Sequence, residues 1–383
     1  MKNTPAGSIP PPQIPLAFVG VALSTLATTL VWATVAMPAP LALLHAIVVG
    51  VFLTTAMGLL YQFVPVVAMA PLRLPYAAYI HLALALAGTL CMVGGFERAD
   101  FVLVRLGGSL HLCGVVLELI VLGTTLRGHR PPAPAAVGAL SLLWLLATMG
   151  LGIWLADRLL HGRAIAGTAL IHALFGLAGF FGTLISALTL RLLRMFERVD
   201  VESRTPVLAM AVTLATLLAA FIGHLGGYVL IAAALAVSLN IAAIARVRNP
   251  AYQRETLLYV IVSSAGAIAA AVAYTAGKME AAVIFAVWFY IGTAAVGYLQ
   301  RIVPFIWWIR RSRAEGTRNI PTLGEMNDSR LGYTILVFWM LAGVIRLFDN
   351  QPLASSFGTV SWIGLVVQLA RAFLVRKPTP SRM

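Results

Sequence analysis

Apolar runs close to the ~20 residues that cross a bilayer as a helix recur along the whole chain, separated by short polar breaks. They occupy 14–36, 40–67, 76–96, 101–125, 136–156, 164–190, 205–223, 226–245, 256–276, 281–308, 332–348 and 355–374. Lipid offers no partner to a free backbone amide, and no stretch alternates polar and apolar residues as a membrane barrel does. The runs therefore predict about twelve transmembrane helices in an all-α polytopic membrane protein.

The breaks group these spans. A Pro-rich link at Pro131, Pro132 and Pro134 follows the fourth span, and the polar stretch from Arg246 to Arg254, with Asn249-Pro250, follows the eighth. One membrane domain, 1–383, thus divides into three pseudo-repeats of four spans, 1–130, 131–250 and 251–383. The second span of each unit ends alike: Tyr61-Gln62-Phe63-Val64-Pro65-Val66, Leu190-Arg191-Leu192-Leu193-Arg194-Met195 and Gln300-Arg301-Ile302-Val303-Pro304-Phe305. The longest polar interruption, 309–331, is too short for a core of its own and is expected to be a cytoplasmic loop.

Composition agrees: 10% of residues are charged, against about 25% in soluble proteins. The net charge of +14 would suggest a nucleic-acid partner if it were clustered, but it is sorted by side. When the loops are assigned alternately to two sides, all the basic residues except Arg98, Arg105, Arg158, Arg163, Lys278 and Arg346 fall on the side of the N-terminus. The positive-inside rule then places both termini in the cytoplasm of a bacterial inner membrane, and no nucleic acid is implied. Lys2 is followed by prolines rather than by a short apolar core and a cleavage site, so the first span reads as retained. Cys91 and Cys113 differ in depth by roughly 10 Å and are not expected to pair.

Ionisable residues inside spans are costly, and each is a candidate site. His45 and His172 lie about 8 and 12 Å below the start of the second and sixth spans, in one outer layer. Each could be an interhelical hydrogen-bond partner. Two imidazoles at matched depth on equivalent helices also suit a haem or a copper ion. His224, in the short turn Gly223-His224-Leu225-Gly226, reads either as a helix cap or as a metal ligand. His111 and Glu118 are nearly two turns apart and share a face, as a structural pair or a proton path. Tyr290 and Tyr298 stand in the tenth span, which has no histidine, and Trp307-Trp308 beside Arg310 and Arg311 reads as an interfacial belt. His81, His129 and His161 need no function on this reading.

The run Leu44-His45-Ala46-Ile47-Val48, continuing to Gly58 and the close at Val64-Pro65-Val66, resembles the second span of the haem-copper oxidase catalytic subunit. Ile171-His172-Ala173-Leu174-Phe175-Gly176, Arg301-Ile302-Val303-Pro304-Phe305-Ile306-Trp307 and Ile320-Pro321-Thr322-Leu323 are similar to smaller oxidase-like bacterial membrane proteins, among them the NnrS haem and copper proteins associated with nitric oxide stress. The resemblance implies twelve spans in three groups of four. It also implies haem b with His45 as an axial ligand, and His172 on the span that supplies a copper ligand. The chain departs from the oxidase pattern in having no histidine on the tenth span, and only His224 near the expected histidine pair. A complete oxygen-reducing centre cannot be assembled from these residues. Three functions stay open: a haem protein for redox chemistry or nitric oxide handling, working with a membrane or electron-transfer partner; a cofactor-poor accessory or scaffold subunit; and a twelve-span transporter.

Overall fold

The computed structural model describes residues 10–196, 254–316 and 320–375, together with positions 233, 235, 237 and 238. Every regular element among them is helical, and ten helices are long and apolar enough to cross a membrane. They are α1 (Gln13–Val35), α2 (Pro40–Ala68), α3 (Ala77–Arg98), α4 (Phe101–Leu126), α5 (Ala133–Leu160), α6 (Gly167–Leu192), α7 (Glu255–Thr275), α8 (Met279–Glu315), α9 (Ser329–Leu347) and α10 (Gln351–Leu374). The spans expected at 205–223 and 226–245, and His224 between them, lie outside the described residues.

Local chemistry sets the helix ends. Ala99 turns the chain in the left-handed region (φ 54°), and the next residue, Asp100, caps α4 by accepting from the amides of Val102 and Leu103, both at 3.1 Å. Asp328 caps α9 in the same way. The end of α8 differs from expectation. Its helix does not stop near residue 308 but runs through Arg310 and Arg313 to Glu315. Arg311 forms a two-pronged pair with Glu315 one turn on, at 3.0 Å, and donates to the Val375 carbonyl at 2.9 Å, which ties this extension to the end of α10. The expected 309–331 loop therefore begins as helix, and it also contains one helical turn, Leu323–Met326, closed by a Thr322–Glu325 capping box.

Three helices form the interior. In its most apolar stretch α2 is 78% buried, α8 67% and α6 56%, whereas no other span among the described residues exceeds 50%. The surrounding helices turn apolar side chains outward, such as Ile80 and Leu90 of α3 and Leu106 and Ile120 of α4. An outward apolar face suits lipid and would be a liability in water, so the fold is that of a multi-pass membrane protein. Trp362 of α10 donates to the Leu23 carbonyl of α1 at 3.0 Å, bringing the last helix against the first.

The same three helices share a departure from α geometry. Each widens into an eight-residue π segment: Ala46–Leu53 in α2, Phe175–Gly182 in α6 and Phe285–Gly292 in α8. Each segment ends at a threonine, Thr54, Thr183 or Thr293. When the helices are slid so that these threonines coincide, Tyr61, Leu190 and Gln300 coincide as well, with no insertion or deletion. The hydroxyls of Thr54 and Thr293 donate five residues back, to Val49 (3.1 Å) and Trp288 (3.3 Å). Thr25 and Thr28 of α1 reach only four back. A wide turn puts the fifth carbonyl in line, which accounts for the change. The Thr183 hydroxyl is buried without a hydrogen bond.

The wide turns also approach one another. A Cβ on Gly292 would lie 3.0 Å from the Phe52 ring of α2 and 2.5 Å from Trp339. A Cβ on Gly182 of α6 would lie 3.8 Å from the Tyr290 hydroxyl of α8.

Candidate functional site

His45 is the last residue before the first wide turn. Its Nδ1 lies 2.8 Å from the Leu41 carbonyl one turn back, and its ring rests on Phe96 with centroids 4.5 Å apart. His172, just ahead of the second wide turn, has Nδ1 2.9 Å from the Thr148 carbonyl of α5. Its ring lies over Gly152, where a Cβ would stand 3.0 Å from the imidazole. A carbonyl only accepts, so in both rings the proton sits on Nδ1, and among the described residues no hydrogen-bond partner stands at Nε2. Histidines that bind metals are commonly oriented by just such a bond at the other nitrogen. Both rings are only half-buried although they belong to the innermost helices.

They are not exact counterparts. With the threonines superposed, His45 matches Leu174, and His172 lies two residues nearer the start of its helix, about 3 Å along the axis. Counting from the predicted span starts placed His172 the deeper of the two; in the structure each stands five residues past the first residue of its span, Pro40 or Gly167. On α8 the matching positions are Ile284 and Ala282, so the third inner helix brings no titratable group to this level. Tyr290 and Tyr298 stand farther along α8, the former beside Gly182 and the latter bonded to Thr189 of α6. They do not complete a ligand set with the histidines. Among the described residues, no three His, Cys, Asp or Glu side chains converge as a metal-ion site.

His111 and Glu118 do lie on one face of α4, but each has its own partner on α3. His111 places Nε2 3.2 Å from the Thr89 hydroxyl, in a notch where a Cβ on Gly88 would be only 2.7 Å from the ring. Glu118 is fully buried and neither of its oxygens has a hydrogen bond. Its neighbour is His81, whose Nδ1 is 3.8 Å away and also 3.1 Å from the Tyr61 hydroxyl of α2. The His81 ring occupies the notch at Gly114, where a Cβ would stand at 2.5 Å.

His81 was read from the sequence as needing no function; the structure shows that it stands 3.8 Å from Glu118, a neighbour the sequence did not reveal. The missed signal is a reciprocal one. His81 and Gly88 are two turns apart on α3, while His111 and Gly114 share a face of α4, so an antiparallel pair seats each histidine against the other helix's glycine. Glu255 was missed as well. It meets the buried Arg301 at 2.9 Å, and Arg301 also donates to Thr256. In the common register Arg301 matches Arg191 and Gln62, so a position noticed as a span ending is in α8 an interior ion pair.

No protein-family model matches the chain, and a search of curated proteins finds no match. The functional reading therefore rests on the geometry: two imidazoles offering Nε2 from the inner helices, and a separate acid–histidine–tyrosine cluster between α2, α3 and α4.

Proposed function

We propose that this chain is an oxidase-like membrane haem protein, with haem b held by the Nε2 of His45 and with His172 as the second imidazole facing the same space. The observation that carries the reading is the shared state of the two rings: each Nδ1–H is fixed by a backbone carbonyl and each Nε2 has no hydrogen-bond partner among the described residues. That donor set fits a haem, which needs only one or two axial imidazoles. Copper fits less well, because protein copper sites generally draw on three or more ligands and the described residues supply no third.

Three pseudo-repeats of four spans underlie the arrangement in this reading. The coincidence of the three wide turns, their threonines and the three similar endings supports it. The sorting of basic residues supports cytoplasmic termini in a bacterial inner membrane, with the histidine pair toward the outer face.

When bound, the haem would supply one-electron redox chemistry or a site for a diatomic ligand such as nitric oxide. The protein residues do the rest. The Leu41 and Thr148 carbonyls hold each ring in one tautomer, and Phe96 and Gly152 set the ring planes. The missing titratable group on α8 argues against a complete oxygen-reducing centre, so the function is electron transfer or nitric oxide handling with a membrane or soluble electron-transfer partner. The test is optical. Purified protein reduced with dithionite should show a Soret and an α band, both lost or shifted in His45→Ala; a colourless protein that takes up no haem would overturn the reading.

A further inference from the structure

The cluster at Glu118 is expensive to keep. A fully buried carboxyl with no hydrogen bond is among the least favourable arrangements for a charge in an apolar interior, and a neutral acid lacking a partner still costs about 1–3 kcal/mol. Packing alone would be better served by an apolar residue. Yet the surroundings are built around it: Gly114 is bare so that His81 can approach, Tyr61 is held against His81, and Phe18 of α1 packs edge-on to the His81 ring at 5.5 Å.

We propose that Glu118, His81 and Tyr61 form a proton-exchange site between α2, α3 and α4, loaded from the membrane end where α2 stops and α3 begins. The three residues come from different helices, but each is within a few turns of that end: α2 closes at Ala68, α3 opens at Ala77 and α4 closes at Leu126. Glu118 carries the proton at rest while Tyr61 donates to Nδ1 of His81. Loading turns the Tyr61 hydroxyl away and closes the 3.8 Å gap by about 1 Å to hydrogen-bond length. The Glu118 O–H bond then breaks as an N–H bond forms at His81 Nδ1, and the carboxylate is reprotonated by a hydronium ion entering from that membrane end, which leaves as water. One proton is gained and no electrons move.

The groups facing the site are Tyr61 from α2, His81 from α3 and, two turns along α4 itself, His111. Phe18 of α1 is apolar. On the far side of α4, Asp157 of α5 is engaged with Arg105 at 3.0 Å. His111 is thus the next titratable group toward the histidine pair, and its partner Thr89 touches Gly50 in the first wide turn, where a Cβ would stand 2.9 Å from the threonine methyl.

Infrared difference spectroscopy of the full-length protein in lipid, between pH values and between H2O and D2O, tests the proposal. We expect a neutral-carboxyl C=O band that shifts in D2O, is lost in Glu118→Gln and moves in frequency in Tyr61→Phe. In His81→Asn its titration midpoint should shift by about one pH unit, a tenfold change in proton affinity. If Glu118→Gln does not fold, the Tyr61→Phe and His81→Asn shifts identify the band in its place. The proposal is overturned if no band responds to these variants, or if the band neither titrates nor exchanges in D2O, which would make Glu118 a sealed structural acid. The measurement needs no haem and leaves His45 and His172 untouched, so its outcome is independent of the cofactor reading.

Discussion

The two pairs of membrane histidines are held in opposite ways. His45 and His172 are fixed by backbone carbonyls, stay half-buried and have no hydrogen-bond partner at Nε2 among the described residues. His81 and His111 are 1% and 2% exposed, bond to the side chains of Tyr61 and Thr89, and fill glycine notches on the neighbouring helix. A side-chain partner and near-complete burial settle a ring into the packing, whereas His45 and His172 are held at one nitrogen by a backbone carbonyl and keep part of the ring exposed. Residue type does not separate these roles; the partner of each ring nitrogen does.

The widest test of that contrast is bound haem. His45→Ala should lose essentially all of it by pyridine-haemochrome assay, and His111→Ala should keep it; equal loss from both would erase the distinction. Stability should show the reverse pattern. Gly114→Leu drives a side chain into His81 and should cost about 1–3 kcal/mol or more in a denaturation midpoint without altering the haem spectrum. Gly152→Ala, which touches His172 at 3.0 Å, should change the spectrum more than the stability. His81→Ala, which removes a packed ring and the Tyr61 bond, should cost about 2 kcal/mol. The smallest effects belong to the wide turns. Thr54→Val should cost about 0.5–1.5 kcal/mol for its bond to Val49, whereas Thr183→Val should be neutral or stabilising, because that hydroxyl has no partner to lose.

Much of the frame was legible before the structure. Span positions follow from hydropathy, because lipid leaves helices as the only means of satisfying the backbone, and the three similar endings pointed to α2, α6 and α8, which prove to be the most buried spans. The histidine depths were less legible. Counting from a predicted span edge carries an error of several residues, and the observed helices begin at Pro40 and Gly167, which sets both histidines five residues in. No periodicity announces the wide turns, since an apolar run such as Ala46–Leu53 looks the same in α or π geometry. The pairing of Glu118 with His81 rather than with His111 was hidden for another reason. Spacing along one helix shows which residues share a face but not what the facing helix brings to it, and here α3 brings His81 to Gly114.

The central claim, that the Nε2 of His45 is a haem ligand, is tested most directly by His45→Gly with and without added imidazole. The account predicts that the reduced α band disappears in the variant and returns when imidazole occupies the space beside Phe96. A variant whose spectrum matches that of the unaltered protein, with or without imidazole, would contradict it.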